Sequence, residues 1–279
     1  MPINRTRDDI DVIGVYAEGF SNYDGLDLVR AIRTLTAAGK QIVFYKAGRT
    51  PSGRSAAAGH TASVAGDYDV CLAAVQNAGA IVVQSFKQFE QMLELATALH
   101  AKEVHGVRVG AISNAGFETV GIADNIVGDD YTVELPALPD AVRAQLVDML
   151  GRHKLAGLVN PRNPLDVTPT ATDAAYCDAL EMLLKVPELD AVIASLVPLT
   201  PAMLTAEKEI EQPASLAQRL PTLCTATPKP VIVSIDSGAL YDPLVHKLRA
   251  AGLCVFRSAD DAVRTLGRYL HQRAPHAAR

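Results

Sequence analysis

One imidazole, that of His60, stands in a stretch of the chain made otherwise of small side chains and a few cations. Residues 46–66 read KAGRTPSGRSAAAGHTASVAG. A histidine nitrogen can act as a nucleophile near neutral pH, and the guanidinium groups of Arg49 and Arg54 can hold an anion such as phosphate. The alternative is a solvated histidine without a chemical role, because one histidine in a loop is a weak signal.

The stretch 46–66 is predicted to form a loop that exposes His60. It follows the apolar run QIVFYK at 41–46, and a helix is predicted to begin near residues 63–65. Ligands of open α/β sheets lie beyond the carboxyl ends of the strands. Glycine permits tight turns and a close approach of the backbone to a ligand, and this stretch contains Gly48, Gly53 and Gly59. We therefore expect a pliable loop that presents the imidazole to a phosphate.

The elements that must position this loop alternate between short aliphatic runs and amphipathic stretches such as GLDLVRAIRTLTAAGK. The alternation of strand and helix predicts parallel sheets with right-handed crossovers. We predict an α/β fold of two consecutive flavodoxin-like domains, each a doubly wound and mostly parallel sheet. Strands are predicted at 11–16, 41–46, 80–84, 107–113, 155–159, 190–195, 229–236 and 253–256.

A domain boundary is predicted near the segment KEVHG, and it divides the chain into residues 1–103 and 104–279. The first of these units contains only three clear strand patterns. Three strands are few for a doubly wound domain, so this unit is expected to be incomplete at its N-terminal end.

The composition argues against several classes of function. The net charge of −5 and the lack of a basic cluster argue against nucleic acid as a partner, and no apolar run has the length that a membrane span needs. The four cysteines have no CxxC spacing. We therefore expect free thiols in the reducing cytoplasm and no metal site.

The pattern KAGRTPxGRxxxxGHTASxAG resembles the active-site histidine loop of the nucleoside-diphosphate-forming acyl-CoA synthetases, including the α subunit of succinyl-CoA synthetase. The resemblance implies that His60, between Gly59 and Thr61, is phosphorylated. In that superfamily the histidine takes a phosphoryl group from an acyl phosphate, and a mobile loop carries it to ADP or GDP at an ATP-grasp site. Arg49 and Arg54 would assist in binding the phosphate.

The segment YAEGF at 16–20 resembles the strand end in that superfamily whose glutamate hydrogen-bonds the histidine ring. The resemblance assigns this role to Glu18. A carboxylate on one ring nitrogen fixes the tautomer and makes the other nitrogen a better nucleophile toward phosphorus. Without the resemblance, Glu18 is better explained as an exposed acid in a turn.

The segment SNAGFETVGIADNI at 113–126 resembles a turn of the superfamily that opens a helix. The backbone amides of Asn114, Ala115 and Gly116 would bind phosphate, because a helix N-terminus attracts anions. Phe117 departs from the small residues common at its position, and it could narrow the site. The alternative is an ordinary strand-to-helix turn.

The segment NPRNPLDVTPT resembles an N-P-x-D-x-T motif of the same superfamily, in which Asn163 and Asp166 are the recognisable polar members. Either these residues meet the substrate, or Asp166 orders its own loop. The sequence leaves both readings open.

The resemblance also predicts what the rest of the reaction requires. CoA, ATP or ADP and Mg²⁺ would be bound by a CoA-binding domain and an ATP-grasp domain or subunit, and neither pattern is found in these residues. This chain would bind no cofactor tightly and would meet phosphate and acyl phosphate within an oligomer. Two alternatives stay open, namely a non-catalytic regulatory or interaction module on the same fold and a general flavodoxin-like binder of nucleotide or flavin.

Overall fold

The computed structural model of the chain describes residues 9–21, 23–60 and 67–274, and of residues 58–60 it describes only the backbone. The chain forms two compact units, Met1–His100 and Ala101–Arg279. Each unit is built on one sheet in which every strand pair described is parallel. The prediction of an α/β fold with two parallel sheets is confirmed.

In the part of the first unit that is described, three strands lie in the order β1 (Val12–Ala17), β2 (Gln41–Lys46) and β3 (Ile81–Val83). The helices are α1 (Asp24–Ala37), α2 (Pro51–His60), α3 (Tyr68–Asn77) and α4 (Phe86–Leu99). Helices α1 and α3 bury Ile32 and Val75 against Phe44 on one face of the sheet, and α4 packs on the strands from the other face.

The second unit has five strands in the order β5-β4-β6-β7-β8. The strands are β4 (Val109–Ser113), β5 (Leu165–Asp166), β6 (Ala191–Leu196), β7 (Val231–Ile235) and β8 (Val255–Phe256). Counted within the unit, this order is 2-1-3-4-5, which is the doubly wound order of flavodoxin-like folds. Its topological switch point, where such folds bind ligands, lies between the carboxyl ends of β4 and β6.

Helices cover both faces of the second sheet. Residues of α6 (Asp140–Arg152), α7 (Asp173–Leu184), α8 (Leu216–Ala226) and α9 (Asp242–Ala250) form one continuous core with one face of the strands. Helices α5 (Gly116–Asp124) and α10 (Ala259–Arg273) pack together, with α10 on β6 and β7 and α5 on β4.

One predicted strand, at 155–159, is wrong. The chain forms turns there, because Lys154 and Gly157 adopt left-handed backbone angles (φ 62° and 76°) that a strand does not allow. Leu155 is buried in the core, so its apolar character reflects packing. The strand beside β4 is instead β5, which begins at Leu165.

Within the three described ranges, no helix combines the length and the apolar composition that crossing a bilayer requires.

Candidate functional site

The carboxyl ends of β1 and β2 meet at one edge of the first sheet. Ala17 is paired with Lys46, and the amide of Ala47 donates to the Ala17 carbonyl at 2.9 Å. Because the strands are parallel, the residues that follow them, Glu18 and Ala47, lie at the same edge of the sheet. The predicted position of Glu18 at a strand end is therefore observed.

A buried ammonium group holds these two strand ends together. The side chain of Lys46 is only 2% exposed, and its Nζ donates to the carbonyl of Glu18 at 2.6 Å and to that of Ala47 at 3.1 Å. Burial lowers the pKa of Lys46. Lys46 was not among the predicted site residues, although a lysine that ends an apolar strand is a signal that could have identified it.

The carboxylate of Glu18 is half-buried and faces Tyr16. The Tyr16 hydroxyl donates to Glu18 Oε1 at 2.9 Å, and this hydrogen bond raises the pKa of Tyr16. Tyr16 lies in a cluster of rings with Tyr45 and Phe86. The imidazole of His60 lies outside the described atoms, so its hydrogen bond with Glu18 stays a prediction.

The segment predicted to be a loop contains a helix, and this corrects the sequence analysis. Helix α2 spans Pro51–His60. The hydroxyl of Thr50 accepts a hydrogen bond from the amide of Gly53 at 3.1 Å, which is the geometry of an N-cap, and a proline at the next position favours a helix start. Glycine content suggested a loop, but this capping signal outweighs it.

Among the glycines of this segment that the structure describes, only Gly48 has the conformation expected of a turn glycine, with φ of 84°. Gly53 and Gly59 are helical, and His60 is the last residue of α2. Thr61 lies outside the described residues.

Two cations flank the N-terminus of α2. Arg49 precedes the helix and Arg54 lies in its second turn, and both are exposed. Arg54 Nη1 lies 3.5 Å from the carbonyl of Arg49. A helix N-terminus carries a partial positive charge, so this connection can attract an anion.

In the second unit, Asn114 occupies the switch point between β4 and β6. Its Nδ2 donates to the carbonyl of Val197 at 2.9 Å, and its Oδ1 accepts from the amide of Val197 at 2.8 Å. The side chain is 1% exposed. It continues the pairing of the two strands beyond their ends, so the contribution of Asn114 to a ligand site would come from its backbone.

The amides of Ala115 and Gly116, which come next in the chain, have different surroundings. The amide of Ala115 donates to Ser113 Oγ at 3.1 Å. Gly116 is exposed and begins α5, and Phe117 beside it is 63% exposed. The amide of Gly116, in the first turn, has no carbonyl partner within its helix, and it remains a candidate for binding an anion.

A carboxylate lies at the same helix start. Asp166 is paired with Ser113, and its Oδ1 accepts from the amide of Thr168 at 2.8 Å. A Cβ atom at Gly116 would lie 3.0 Å from Asp166 Oδ2, so glycine permits this close approach. Asn163 instead bonds the backbone of β4, with Oδ1 accepting from Ala111 and Nδ2 donating to the Val109 carbonyl.

A second carboxyl group, that of Glu118, is buried beneath the first turn of α5. Its Oε2 lies 2.5 Å from Ser113 Oγ, and its side chain is 1% exposed. Burial raises the pKa of Glu118 from 4.5 to about 7, against the opposing effect of the hydrogen bond with Ser113 and of the nearby hydroxyl of Ser195. Glu118 was not among the predicted site residues, because an acid in a first helical turn is ordinarily solvated.

In the part of the chain that is described, no group of three or more His, Cys, Asp or Glu side chains is arranged to hold a metal ion.

Comparison with known families gives a match over residues 4–99 to the succinyl-CoA ligase like flavodoxin domain. The α subunit of acetate–CoA ligase [ADP-forming] II from Pyrococcus furiosus is 27% identical over 249 residues, which are 89% of this chain and 50% of that protein. Acetate–CoA ligase [ADP-forming] I from Archaeoglobus fulgidus is 28% identical over 94% of this chain and 34% of that protein. The chain thus spans half or less of these relatives.

The fold is also found among solved structures. The dinucleotide forming acetyl-coenzyme A synthetase 1 of Ca. Korarchaeum cryptofilum, in complex with phosphate and ADP, matches with a TM-score of 0.77 at 21% sequence identity. The match covers 96% of this chain and 55% of that one. At this identity the likeness establishes the fold.

Proposed function

We propose, from the chain's membership of the superfamily of nucleoside-diphosphate-forming acyl-CoA synthetases, that it is the phosphohistidine-bearing part of an ADP-forming, acetate–CoA ligase-like enzyme. The overall reaction would be acyl-CoA + ADP + phosphate ⇌ carboxylate + ATP + CoA. One observation carries the proposal: Lys46 ties Glu18 to the connection that leads into the helix ending at His60.

In the proposed reaction His60 is the nucleophile and the phosphoryl carrier. One ring nitrogen attacks the phosphorus of an acyl phosphate, the bond from phosphorus to the acyl oxygen breaks, and the carboxylate leaves. The phosphoryl group then passes from the nitrogen to the terminal oxygen of ADP. Glu18 would accept a hydrogen bond from the other ring nitrogen, which stabilises the positive charge that develops on the ring.

The anion-binding groups would serve the same phosphoryl group. Arg49 and Arg54 would neutralise its charge beside the start of α2, and backbone amides at 114–116 would bind it through the first turn of α5. Gly59 and Thr61 would shape the backbone around the histidine. Asp166 would hold the connection beside Gly116 in place, and Asn163 would support β4 from the side.

CoA, ATP or ADP and Mg²⁺ would be supplied by a CoA-binding domain and an ATP-grasp domain or subunit. The relative from Pyrococcus furiosus is itself named as one subunit of its enzyme, which supports an oligomer. Residues 1–103 would be part of the domain with the histidine, and residues 104–279 would be the second domain. Cys177, Cys224 and Cys254 are buried free thiols, which supports a cytoplasmic location.

A second candidate is a non-catalytic interaction module on the same fold. It is favoured by the start of α5, where the Ala115 amide is engaged by Ser113 and the Asp166 carboxylate lies near Gly116. A carboxylate at a helix N-terminus occupies the place that an anionic ligand would take.

Acetyl phosphate distinguishes the two candidates, because it needs neither nucleotide nor CoA. Incubation of the chain with ³²P-labelled acetyl phosphate should give a label that is labile in acid and stable in base, as expected for a phosphorus–nitrogen bond. His60→Ala should abolish the label, and Glu18→Gln should slow labelling about tenfold or more. His105→Ala, which removes an exposed histidine, is the matched control. Equal labelling of His60→Ala and the wild type would exclude the catalytic candidate.

A further inference from the structure

We propose that Glu118 takes up a proton when a phosphoryl group binds to the first-turn amides of α5. In this way Glu118 determines which charge state of the phosphoryl group is bound there. The inference rests on the proposed function, because it takes residues 114–116 as a phosphate-binding segment. It adds to that function a residue, buried beneath the helix start, that would not touch the ligand.

The carboxyl group is one hydrogen bond away from the amides in question. Glu118 Oε2 is 2.5 Å from Ser113 Oγ, and this serine oxygen accepts a hydrogen bond from the amide of Ala115, the neighbour of Gly116, at 3.1 Å. Glu118 is also the third residue of α5, so its charge lies beside the first turn. A phosphoryl group on these amides and an ionised Glu118 would therefore be two like charges at the same helix end.

The surroundings of Glu118 can accommodate both of its protonation states. Ser195 and Ser234 are paired across β6 and β7, and both are fully buried. Their hydroxyls and Glu118 Oε1 close no hydrogen bond of normal geometry among the described residues. A hydroxyl can donate to a carboxylate or accept from a neutral carboxyl group, so a proton can come and go without rearrangement of the backbone.

The acidic groups near the start of this helix favour the neutral form of Glu118. Asp236, which follows β7, raises the pKa of Glu118, and Asp166 of β5 lies at the helix start. From α7, the phenol of Tyr176 is buried near the carboxyl group. From α10, Asp260 and Arg264 reach the opposite end of α5, where both contact Asn125.

A bound dianion would raise the energy of ionised Glu118 further, because the Glu118 carboxylate is buried and its charge is screened only weakly. Binding and protonation must then be coupled reciprocally: the anion favours the proton, and the proton strengthens anion binding by the same factor. The pKa of Glu118 is raised to about 7, chiefly by burial, so this coupling would operate at neutral pH.

Isothermal titration calorimetry with sulfate tests the coupling on the full chain, because the charge of sulfate stays fixed between pH 6 and 8. Titrations at pH 7 in buffers of different ionisation enthalpy report the number of protons taken up. We expect about half a proton per sulfate in the wild type and none in Glu118→Gln. Sulfate affinity should fall about tenfold from pH 6 to pH 8 in the wild type and less than twofold in Glu118→Gln.

Three further variants make the result decisive. Glu188→Gln, which changes an exposed acid of the same unit, should behave as the wild type. Ser195→Ala retains the carboxyl group but removes a hydroxyl that lowers its pKa, so proton uptake should peak at higher pH. Phe117→Asp places a charge at the exposed start of α5 and should abolish sulfate binding.

Binding without proton uptake in the wild type would overturn the inference and leave the proposed function intact. Undiminished binding to Phe117→Asp would also overturn it, because the anion would then lie elsewhere. An absence of sulfate binding at every pH would overturn both the inference and the phosphate role of residues 114–116. The labelling of His60 by acetyl phosphate is a separate measurement and would distinguish that case from failure of the whole proposed function.

Discussion

At the scale of single residues, the chain places two buried ionisable groups at the carboxyl ends of its sheets, and the two are stabilised differently. The ammonium of Lys46 is satisfied by two carbonyl groups. The carboxyl group of Glu118 has one hydroxyl partner and an oxygen without any among the described residues. A buried charge with few partners is costly, so Glu118 is expected to be partly neutral at pH 7.

The stability of the second unit should therefore depend on the protonation of Glu118. Its folded-state pKa of about 7 lies above the ordinary value of 4.5, so its contribution is fully present below pH 4.5 and is lost as the pH rises through 7. The loss amounts to roughly 3 kcal/mol, from the size of the shift. Glu118→Gln cannot ionise, so it should lack this loss.

Native-state hydrogen exchange of the slowest amides in β4 and β6 measures this unit directly. The wild type should lose protection relative to Glu118→Gln between pH 4.5 and pH 8, after correction for the intrinsic exchange rate. Glu188→Gln should follow the wild type. A difference between wild type and Glu118→Gln that stays constant with pH would contradict the assignment.

Residues of this kind are the hardest to predict from sequence. The positions of Glu18 and Asn114 at strand ends could be predicted, because the aliphatic runs before them are unambiguous. The burial of Glu118 could not, since it depends on Ser195 and Ser234 from two distant strands. The hydrogen bonds of the Asn114 side chain could likewise not be predicted, because its partner Val197 follows another strand.

At the scale of elements, α2 is the feature that most changes how the histidine is held. It follows the capping residue Thr50 and ends at His60, so the histidine is the tenth residue of a helix rather than part of a loop. Sequence reasoning gave weight to glycine, but the Thr–Pro start followed by alanines favours a helix. The false strand at 155–159 has the opposite cause, since its apolar residues pack in the core without extended backbone.

The cap of α2 should control the local stability of the helix that carries His60. Thr50→Ala removes the acceptor of the Gly53 amide and should cost about 1 kcal/mol. Amides of residues 53–57 should then exchange with solvent about fivefold faster, as a change of that size requires. Ser52→Ala, a change at an exposed position of the same turn, serves as the control.

Exchange rates at 53–57 that are unchanged in Thr50→Ala would show that α2 is held by other contacts. Equal acceleration in Ser52→Ala would show that the effect is not specific to the cap.

At the scale of the whole molecule, two parallel sheets place their functional candidates at strand ends, and both placements follow from how the strands are ordered and paired. In the second unit, the order 2-1-3-4-5 brings Asn114 and Gly116 to the switch point. In the first unit, parallel pairing brings Glu18 and Lys46 together. The alternation of strands and helices made this architecture predictable, whereas the side-chain networks at the strand ends depended on the fold itself.

The chain spans about half of the Pyrococcus furiosus subunit and a third of the Archaeoglobus fulgidus enzyme. The proposed role is accordingly one step of a larger reaction, namely the reversible capture of a phosphoryl group. Its central claim concerns a single atom of His60 and can be tested apart from the remaining steps.

The most direct measurement is phosphopeptide mapping after incubation of the chain with Mg²⁺-ATP and the ATP-grasp subunit of an ADP-forming acetate–CoA ligase. The proposal predicts one phosphate on the peptide that contains His60, stable in base and labile in acid, and its return to ATP when ADP is added. A phosphate on another residue, or equal labelling of wild type and His60→Ala, would contradict it.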